Sequence, residues 1–364
     1  MTAVAPLDIV IIGLSITSSW GNGHATTYRG LVRALHARGH RVLFLERDVE
    51  WYASNRDLPR PSFCRVELYD RVAELSTRFA DEVRDAHLVI VGSYVPDGVE
   101  VGEWVTRTAQ GATAFYDIDT PVTLAKLAGD AAGYLTRALV PRYDLYLSFT
   151  GGPTLERVER ELGSPMARAL YCSVDPVLYY PESVPLRWDL GYLGTYSDDR
   201  QPTLDRLLLE PARRWADGRF AVMGAMYPES LTWPPNVRHG CHLSPAEHRA
   251  FYCAQRFTLN VTRADMVAAG WSPSVRLFEA AACGTPIVSD HWNGLDELFR
   301  PGDEVLVARS SEDVLGILRE LTEQERRRIG ARARARVLAS HTAAHRALEL
   351  EEYAAELLDR ETIR

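Results

Sequence analysis

Residues 270–290 read GWSPSVRLFEAAACGTPIVSD, and the fold turns on this stretch. Ser272 followed by Pro273 has the form of a helix N-cap with proline at the first helical position, so a helix is expected to start there. Its Ala-Ala-Ala-Cys-Gly tail is too small and apolar for a solvated helix and calls for tight packing, and Pro286–Ser289 then reads as a short buried strand. At such a helix start the amides of Ser274 and Val275 are a ready site for an anion. Glu279, about a turn and a half further in, is near enough to accept hydrogen bonds from vicinal ribose hydroxyls while those amides hold a diphosphate. Arg276 and Glu279 are also spaced i, i+3, and the plainer reading of the pair is a surface ion pair of little energetic weight.

Working outward, the same strand and helix alternation runs in both directions. Leu190–Leu193, Phe220–Met223, Thr258–Val261 and Val305–Val307 are further short apolar runs with helical segments between them. In the first half, Asp8–Leu14 is a β-branched run ending near Gly13. A Ser/Gly loop follows, then a segment with Tyr28, Leu31, Val32 and Leu35 at helical spacing, and then Val42–Leu45. That is one βαβ unit with buried, parallel-type strands. Leu88–Val91, Ala112–Tyr116 and Leu145–Phe149 continue it. Cys172–Leu186 carries three prolines and no helical period, and is read as a linker. The expected class is α/β, with two doubly wound Rossmann-like domains: 1–173, 187–340, and a final helical segment, 341–364. Ligands in such folds bind at the carboxyl ends of the strands, so a cleft between the two sheets is expected to hold the site.

Composition narrows the chemistry. The chain has 364 residues, 46% of them apolar, and 41 Lys plus Arg against 49 Asp plus Glu give a net charge of -8. That balance argues against a protein that coats nucleic acid or an anionic membrane, and the Arg-rich run 325–336 is read as a solvated helix face. Lys126 is the single lysine, so an anion clamp must be built from arginine or backbone amides. The five cysteines form no Cys-x-x-Cys pair, which fits a reducing, cytoplasmic setting and neither a disulfide framework nor a zinc site. No apolar run is long enough to span a membrane, and no basic leader precedes Ile9–Leu14.

Two further motifs bear on function. The first loop, SSWGNGHATTYRG, offers small residues and amides at a helix start, but Gly21 and Gly23 come late for a dinucleotide fingerprint and Thr26 stands where its third glycine belongs. His24 lies at that helix start, where the dipole favours the neutral imidazole; it serves either as a base or as a cap. In YDIDTP, Asp117 and Asp119 end a strand and are expected to point into the cleft. Asp119 is either a general base or the N-cap of the helix that Thr120-Pro121 begins. A divalent metal at this pair is not expected.

Residues 270–290 resemble the signature of the GT-B glycosyltransferases of family four and their spore-maturation (CgeB-like) relatives, a helix and strand that bind a nucleotide-sugar. The resemblance extends through SVDPVLYYP at the linker, GLDELFRPGDEVLVA and SSEDVLGILREL; the opening loop resembles the glycine-rich acceptor-side loop of the same superfamily, and YDIDTP the Asp-x-Pro segment of the CgeB-like branch. It implies the GT-B fold, with the last helix crossing back to the first domain. It also implies transfer of a sugar from a nucleotide-diphosphate donor, UDP or dTDP by preference, to an acceptor hydroxyl or amine, with no metal and no separate cofactor. Glu279 would hold the ribose, and Ser274 and Val275 the diphosphate. Arg200 would neutralise that diphosphate with Arg263 or Arg276, and His242 and Leu243 would contact the base. One position departs: family four carries an acidic residue eight positions before the ribose-binding glutamate, where this chain has Trp271. Three rival activities follow from the same features: a nucleotide-sugar epimerase, an NAD-dependent oxidoreductase using the first loop with Glu46, and an inactive sugar-nucleotide binding protein.

Overall fold

A computed structural model describes residues 5–21, 23–129 and 132–362. Seven strands form the first sheet: β1 (Asp8–Gly13), β2 (Arg41–Arg47), β3 (Arg65–Tyr69), β4 (Leu88–Gly92), β5 (Ala112–Asp117), β6 (Leu145–Ser148) and β7 (Ala167–Ala169). Six form the second: β8 (Trp188–Leu193), β9 (Phe220–Met223), β10 (Val237–Gly240), β11 (Gln255–Asn260), β12 (Ile287–Ser289) and β13 (Leu306–Val307). Their orders are β3-β2-β1-β4-β5-β6-β7 and β10-β9-β8-β11-β12-β13. Every pairing is parallel. Each sheet is therefore doubly wound, and its central strands are buried along nearly their whole length, as continuous Val/Ile/Leu runs require.

The chain divides into two compact units, Met1–Cys172 with Ala343–Arg364, and Ser173–Thr342. The final helix, Ala343–Thr362, belongs to the first unit and packs on the helix Gly23–Ala37. Glu351 pins it there by accepting from Arg38 and from His40 Nε2 at 2.6 Å, while His40 Nδ1 accepts from the amide of Leu7 at 3.0 Å. In the second unit Val174 pairs with Thr342, and its amide donates to His341 at 3.2 Å. The arginines of the run 325–336 are held by neighbours: Arg326 by Glu323, Arg332 by Asp303 and Arg336 by Glu304. No helix among the described residues is long and apolar enough to cross a membrane.

The strands the sequence did not announce, β3, β7 and β10, lie at sheet edges. Their sequences, RVELY, ARA and VRHG, are half-buried and mix charge with apolar residues, so no apolar run marks them. The helix of the deciding stretch also starts later than expected. Gly270 and Trp271 both take positive φ, 67° and 44°, and Ser272 precedes a proline, which disfavours helical backbone. Ser274 is the N-cap instead, and the helix runs Val275–Ala282.

Candidate functional site

In the second unit the C-terminal ends of β8, β11 and β12 converge on the start of the helix Val275–Ala282. Ser274 occupies its N-cap with extended backbone but makes no side-chain cap bond. Its hydroxyl instead donates to Asn260 Oδ1 at 2.7 Å. The Leu277 amide donates to the Ser274 carbonyl at 3.1 Å, while the amides of Val275 and Arg276 before it receive no side-chain cap, so the positive end of the helix stays open. Arg276, 7% exposed, lies beside them. Its Nη1 donates to the same Asn260 Oδ1 at 2.8 Å, its Nε donates to the Leu193 carbonyl, and its guanidinium packs 4.8 Å from the centre of the Tyr192 ring. No carboxylate lies within ion-pair distance of it among the described residues; the buried Asp290 is the acid that feels its charge, burial raising the Asp290 pKa and Arg276 opposing that rise. Gly194 is needed here, because a Cβ on it would sit 2.5 Å from the Tyr192 hydroxyl and 2.9 Å from Arg276 Nη2. The alternative reading of Arg276 and Glu279 as a surface ion pair does not hold: both are buried and no ion pair joins them.

Arg200 caps the short helix Gln201–Leu204 and donates to Ser197 Oγ at 3.0 Å. It too has no carboxylate within ion-pair distance. Its acidic neighbours are engaged elsewhere: Asp198 accepts from Tyr196 at 2.6 Å, and Asp199 accepts from Ser197 and from the amide of Ala264. Asp199 also faces Arg263 at 3.6 Å, so of the three candidate arginines Arg263 is the one that has an acid. Arg200 and Arg276 both act on the hydroxyl of Tyr227, which donates to the Gly194 carbonyl at 3.1 Å; burial raises its pKa and the two cations oppose that rise. The structure thus gathers Ser274, Val275, Arg200 and Arg276 around one positively charged end of the sheet.

Glu279 is 3% exposed. Tyr252 donates to its Oε2 at 3.0 Å, His248 Nδ1 is 3.9 Å away, and the Tyr179 hydroxyl lies 3.4 Å from that same His248 nitrogen. Sequence reading missed these three residues, which lie on the linker and on the helix Pro245–Cys253. The loop after β10 places His242 on the surface and half-buries Leu243, whose carbonyl faces His248 Nε2 at 3.1 Å. Near it, Trp233 stacks on His239 at 4.4 Å and Tyr227 meets both rings edge-on. Trp271 packs its ring on the backbone of Gly294, and a hollow of about 560 Å³ opens beside it, lined in part by His291, Trp292, Asn293, Asp296 and Arg309.

The first unit carries a second constellation, also at the C-terminal end of its sheet. Asp119 is the backbone N-cap of the helix Thr120–Ala128, yet its carboxylate caps no amide; its Oδ2 accepts from Tyr94 at 3.0 Å. His24 sits in the first turn of the helix Gly23–Ala37 with its ring edge-on to Tyr94, 5.5 Å between centres. Burial lowers its pKa to about 4, so the imidazole is neutral at pH 7. Lys126 places its ammonium over the rings of Tyr94 and Tyr134, at 5.1 and 5.6 Å. Asp117 corrects an expectation: it does not point outward with Asp119. It is fully buried, accepting from Tyr146, Thr123 and the amide of Asp119, and burial raises its pKa to about 6 against those hydrogen bonds. The strand ends at Asp117, so the two-residue alternation that would have aligned the pair stops there.

Glu46 closes off the dinucleotide alternative. It is fully buried and accepts from Ser15 Oγ, the amides of Ile16 and Thr17, and Thr17 Oγ1, at 2.6–3.0 Å. A carboxylate engaged four times in folding the first loop has no capacity left for a ribose.

Residues 200–352 match the family model described as glycosyl transferase-like. No curated protein matches the chain by sequence. Among solved structures it is similar to sucrose-phosphate synthase from Thermosynechococcus elongatus, with 15% identity over 97% of this chain and 100% of that one and a TM-score of 0.70. HepE from Anabaena, in complex with UDP-glucose, gives 12% identity over 96% and 100%, with a TM-score of 0.68. An α-glucosyltransferase in complex with UDP-glucose and DNA containing an abasic site gives 14% identity over 96% and 100%, with a TM-score of 0.71. At such identities the likeness shows the fold, which is GT-B, and the glycosyl transferase-like match covers most of the second unit.

Proposed function

We propose that this enzyme transfers a sugar from a uridine or thymidine diphosphate donor to an acceptor hydroxyl or amine, without a metal ion. The observation that carries the reading is Arg276: a buried guanidinium with no carboxylate at ion-pair distance among the described residues, beside helix amides without a side-chain cap, is an environment completed by a diphosphate. Arg200 adds a second charge, Ser274 and Val275 supply amides, and Glu279 takes the ribose hydroxyls. His242 and Leu243 border the base, with the Trp233–His239 stack nearby. Arg263 has a lesser part because Asp199 faces it. The UDP-glucose held by HepE and by the α-glucosyltransferase supports a uridine donor. Trp271 and the hollow beside it border the sugar.

In the reaction, the acceptor oxygen or nitrogen attacks the anomeric carbon as the bond to the diphosphate breaks. The acceptor proton passes to Asp119, neutral His24 hydrogen-bonds the acceptor, and the departing diphosphate charge is met by amides and arginine already in place. The test is a thermal-shift and calorimetric screen against UDP, dTDP, GDP, ADP, their sugar conjugates and NADH, with and without EDTA. Selective stabilisation by one nucleoside diphosphate, insensitive to EDTA, is expected. Stabilisation by NADH alone would overturn the reading, and conversion of a sugar donor with no acceptor and no nucleotide release would make the enzyme an epimerase.

A further inference from the structure

The residue that joins the two candidate proton-transfer groups of the first unit carries no signal in the sequence. Tyr94 follows β4 and takes φ 64°, a left-handed backbone that a tyrosine adopts only when its surroundings impose it. Held that way, its hydroxyl donates to Asp119 Oδ2 at 3.0 Å and its ring meets His24 edge-on at 5.5 Å. Its other contacts fix the ring. Tyr134 packs against it at 4.7 Å, and the Lys126 ammonium lies 5.1 Å from its centre. Tyr134 is in turn anchored through Thr123, whose Oγ1 is 2.8 Å from the Tyr134 hydroxyl and donates to Asp117 Oδ1 at 2.9 Å. The buried Asp117 thus braces, through Thr123 and Tyr134, the ring that holds Asp119, and it also accepts from the amide of Asp119 at 3.1 Å. A chain of five side chains converges on the orientation of one carboxylate.

We infer that Tyr94 is a positioning residue that fixes the carboxylate of Asp119 for proton transfer, and that its strained backbone is retained for that purpose. The inference rests on the reading of Asp119 as the base. Fixing one carboxylate rotamer matters because a base displaced by about 1 Å loses roughly a hundredfold in rate. A hydrogen bond from a phenol to one carboxylate oxygen restricts the rotamer.

The experiment is a double-mutant cycle on the full chain with Y94F, D119N and the combined variant. It reads release of nucleoside diphosphate from UDP-glucose, or from whichever donor the thermal-shift screen selects, with water as the acceptor. Y94F is expected to lower kcat at least tenfold with KM for the donor and the melting temperature little changed, and the double variant is expected to be no slower than D119N. Wild-type turnover in Y94F alongside an inactive D119N would overturn the positioning role and leave the base in place. A double variant slower than D119N by the full Y94F factor would also overturn it, because Tyr94 would then act independently of Asp119. Wild-type turnover in D119N, or no nucleotide release by the unaltered enzyme from any donor, would overturn the underlying reading of the base and this one with it. If Y94F proves unstable, Y94G supplies the control: glycine relieves the left-handed backbone, so a Y94G protein that folds and turns over normally overturns the inference equally well.

Discussion

Arg276 donates to the side-chain carbonyl of Asn260 at 2.8 Å, in a place where an aspartate would have cancelled its charge. The amide orients the guanidinium and leaves its charge for a ligand. Asn260→Asp adds one negative charge there and is expected to weaken binding of the donor diphosphate by about tenfold or more, roughly 1.4 kcal/mol. Asn260 Nδ2 donates to Ser289 at 3.0 Å and Thr262 at 3.3 Å, whose own hydrogens go to Asp290, so the aspartate also costs these two contacts and the melting temperature is recorded beside the affinity. Calorimetric titration with UDP or dTDP decides the matter; unchanged affinity would remove Arg276 from the donor site.

Glu279, proposed to hold the donor ribose, also anchors Tyr252, so its variants separate the two roles. Glu279→Ala leaves the hydroxyl of Tyr252 without its buried acceptor and is expected to cost about 1–3 kcal/mol of stability along with donor affinity. Glu279→Gln keeps an acceptor oxygen for that tyrosine and preserves volume. It should hold the melting temperature closer to that of the wild type while still weakening nucleotide binding. Equal donor affinity in both variants and the wild type, by thermal shift, would leave Glu279 with a structural role only.

His24 gives a pH signature with a defined sign. Its pKa in the folded chain is about 4 against an ordinary 6.5, so between those values the unfolded chain takes up a proton that the folded chain refuses. Its contribution therefore lowers stability as pH falls from 6.5 towards 4. His24→Gln removes that part of the slope. The melting temperature of the variant, relative to wild type, should rise progressively as the buffer is taken from pH 7 to pH 4.5; parallel curves would show that the imidazole titrates normally. Asp117, raised to about 6 by burial, acts in the opposite sense in both proteins and cancels in the comparison.

How far the sequence could be read depends on which signals are local. The central strands were legible because burial on both faces forces continuous apolar runs such as Ile9–Ile12 and Leu88–Val91. The edge strands β3, β7 and β10 were not, since β3 mixes charge with apolar residues, β7 is three residues and β10 is VRHG. The grouping of Ser274, Val275 and Arg276 at one helix start, with Glu279 further along the same helix, was legible because these residues are neighbours in sequence. Tyr94, Tyr179, Tyr252 and Asn260 were not, because each reaches its partner from a distant element, and nothing near Tyr94 in sequence signals a left-handed backbone. The same limit explains Asp117, whose outward reading assumed a strand continuing past the residue where it ends.

Glu351 holds the final helix on the first unit through a nearly buried carboxylate. The Leu7 amide donates to His40 Nδ1, which fixes the ring hydrogen on Nε2 and aims it at Glu351. Glu351→Ala leaves that hydrogen and the Arg38 guanidinium without their acceptor. A loss of about 3 kcal/mol is expected, at the lower end for broken buried pairs because Arg38 is partly exposed. Glu351→Gln should recover part of it. Limited proteolysis within 343–362 is the sharper readout, since faster cleavage there without faster cleavage elsewhere marks local release of the helix.

Trp271 occupies a backbone conformation that suits glycine, φ 44°, with its ring against the backbone of Gly294, itself at φ 87°. The two positions make opposite predictions. Gly294→Ala is expected to be strongly destabilising, because its Cβ would sit 2.5 Å from the indole and its backbone would be strained besides. Trp271→Gly relieves strain worth about 1–3 kcal/mol but empties the indole's place, so its net effect on stability should be small. Its effect on the reaction should not be. If Trp271 lines the space taken by the donor sugar, Trp271→Gly raises KM for the sugar nucleotide while leaving the affinity for the free nucleoside diphosphate unchanged. Trp271→Glu, which installs the acid expected there from the resemblance, should change the ranking of donor sugars. An identical ranking across a panel of UDP sugars in all three proteins would place the sugar away from this residue.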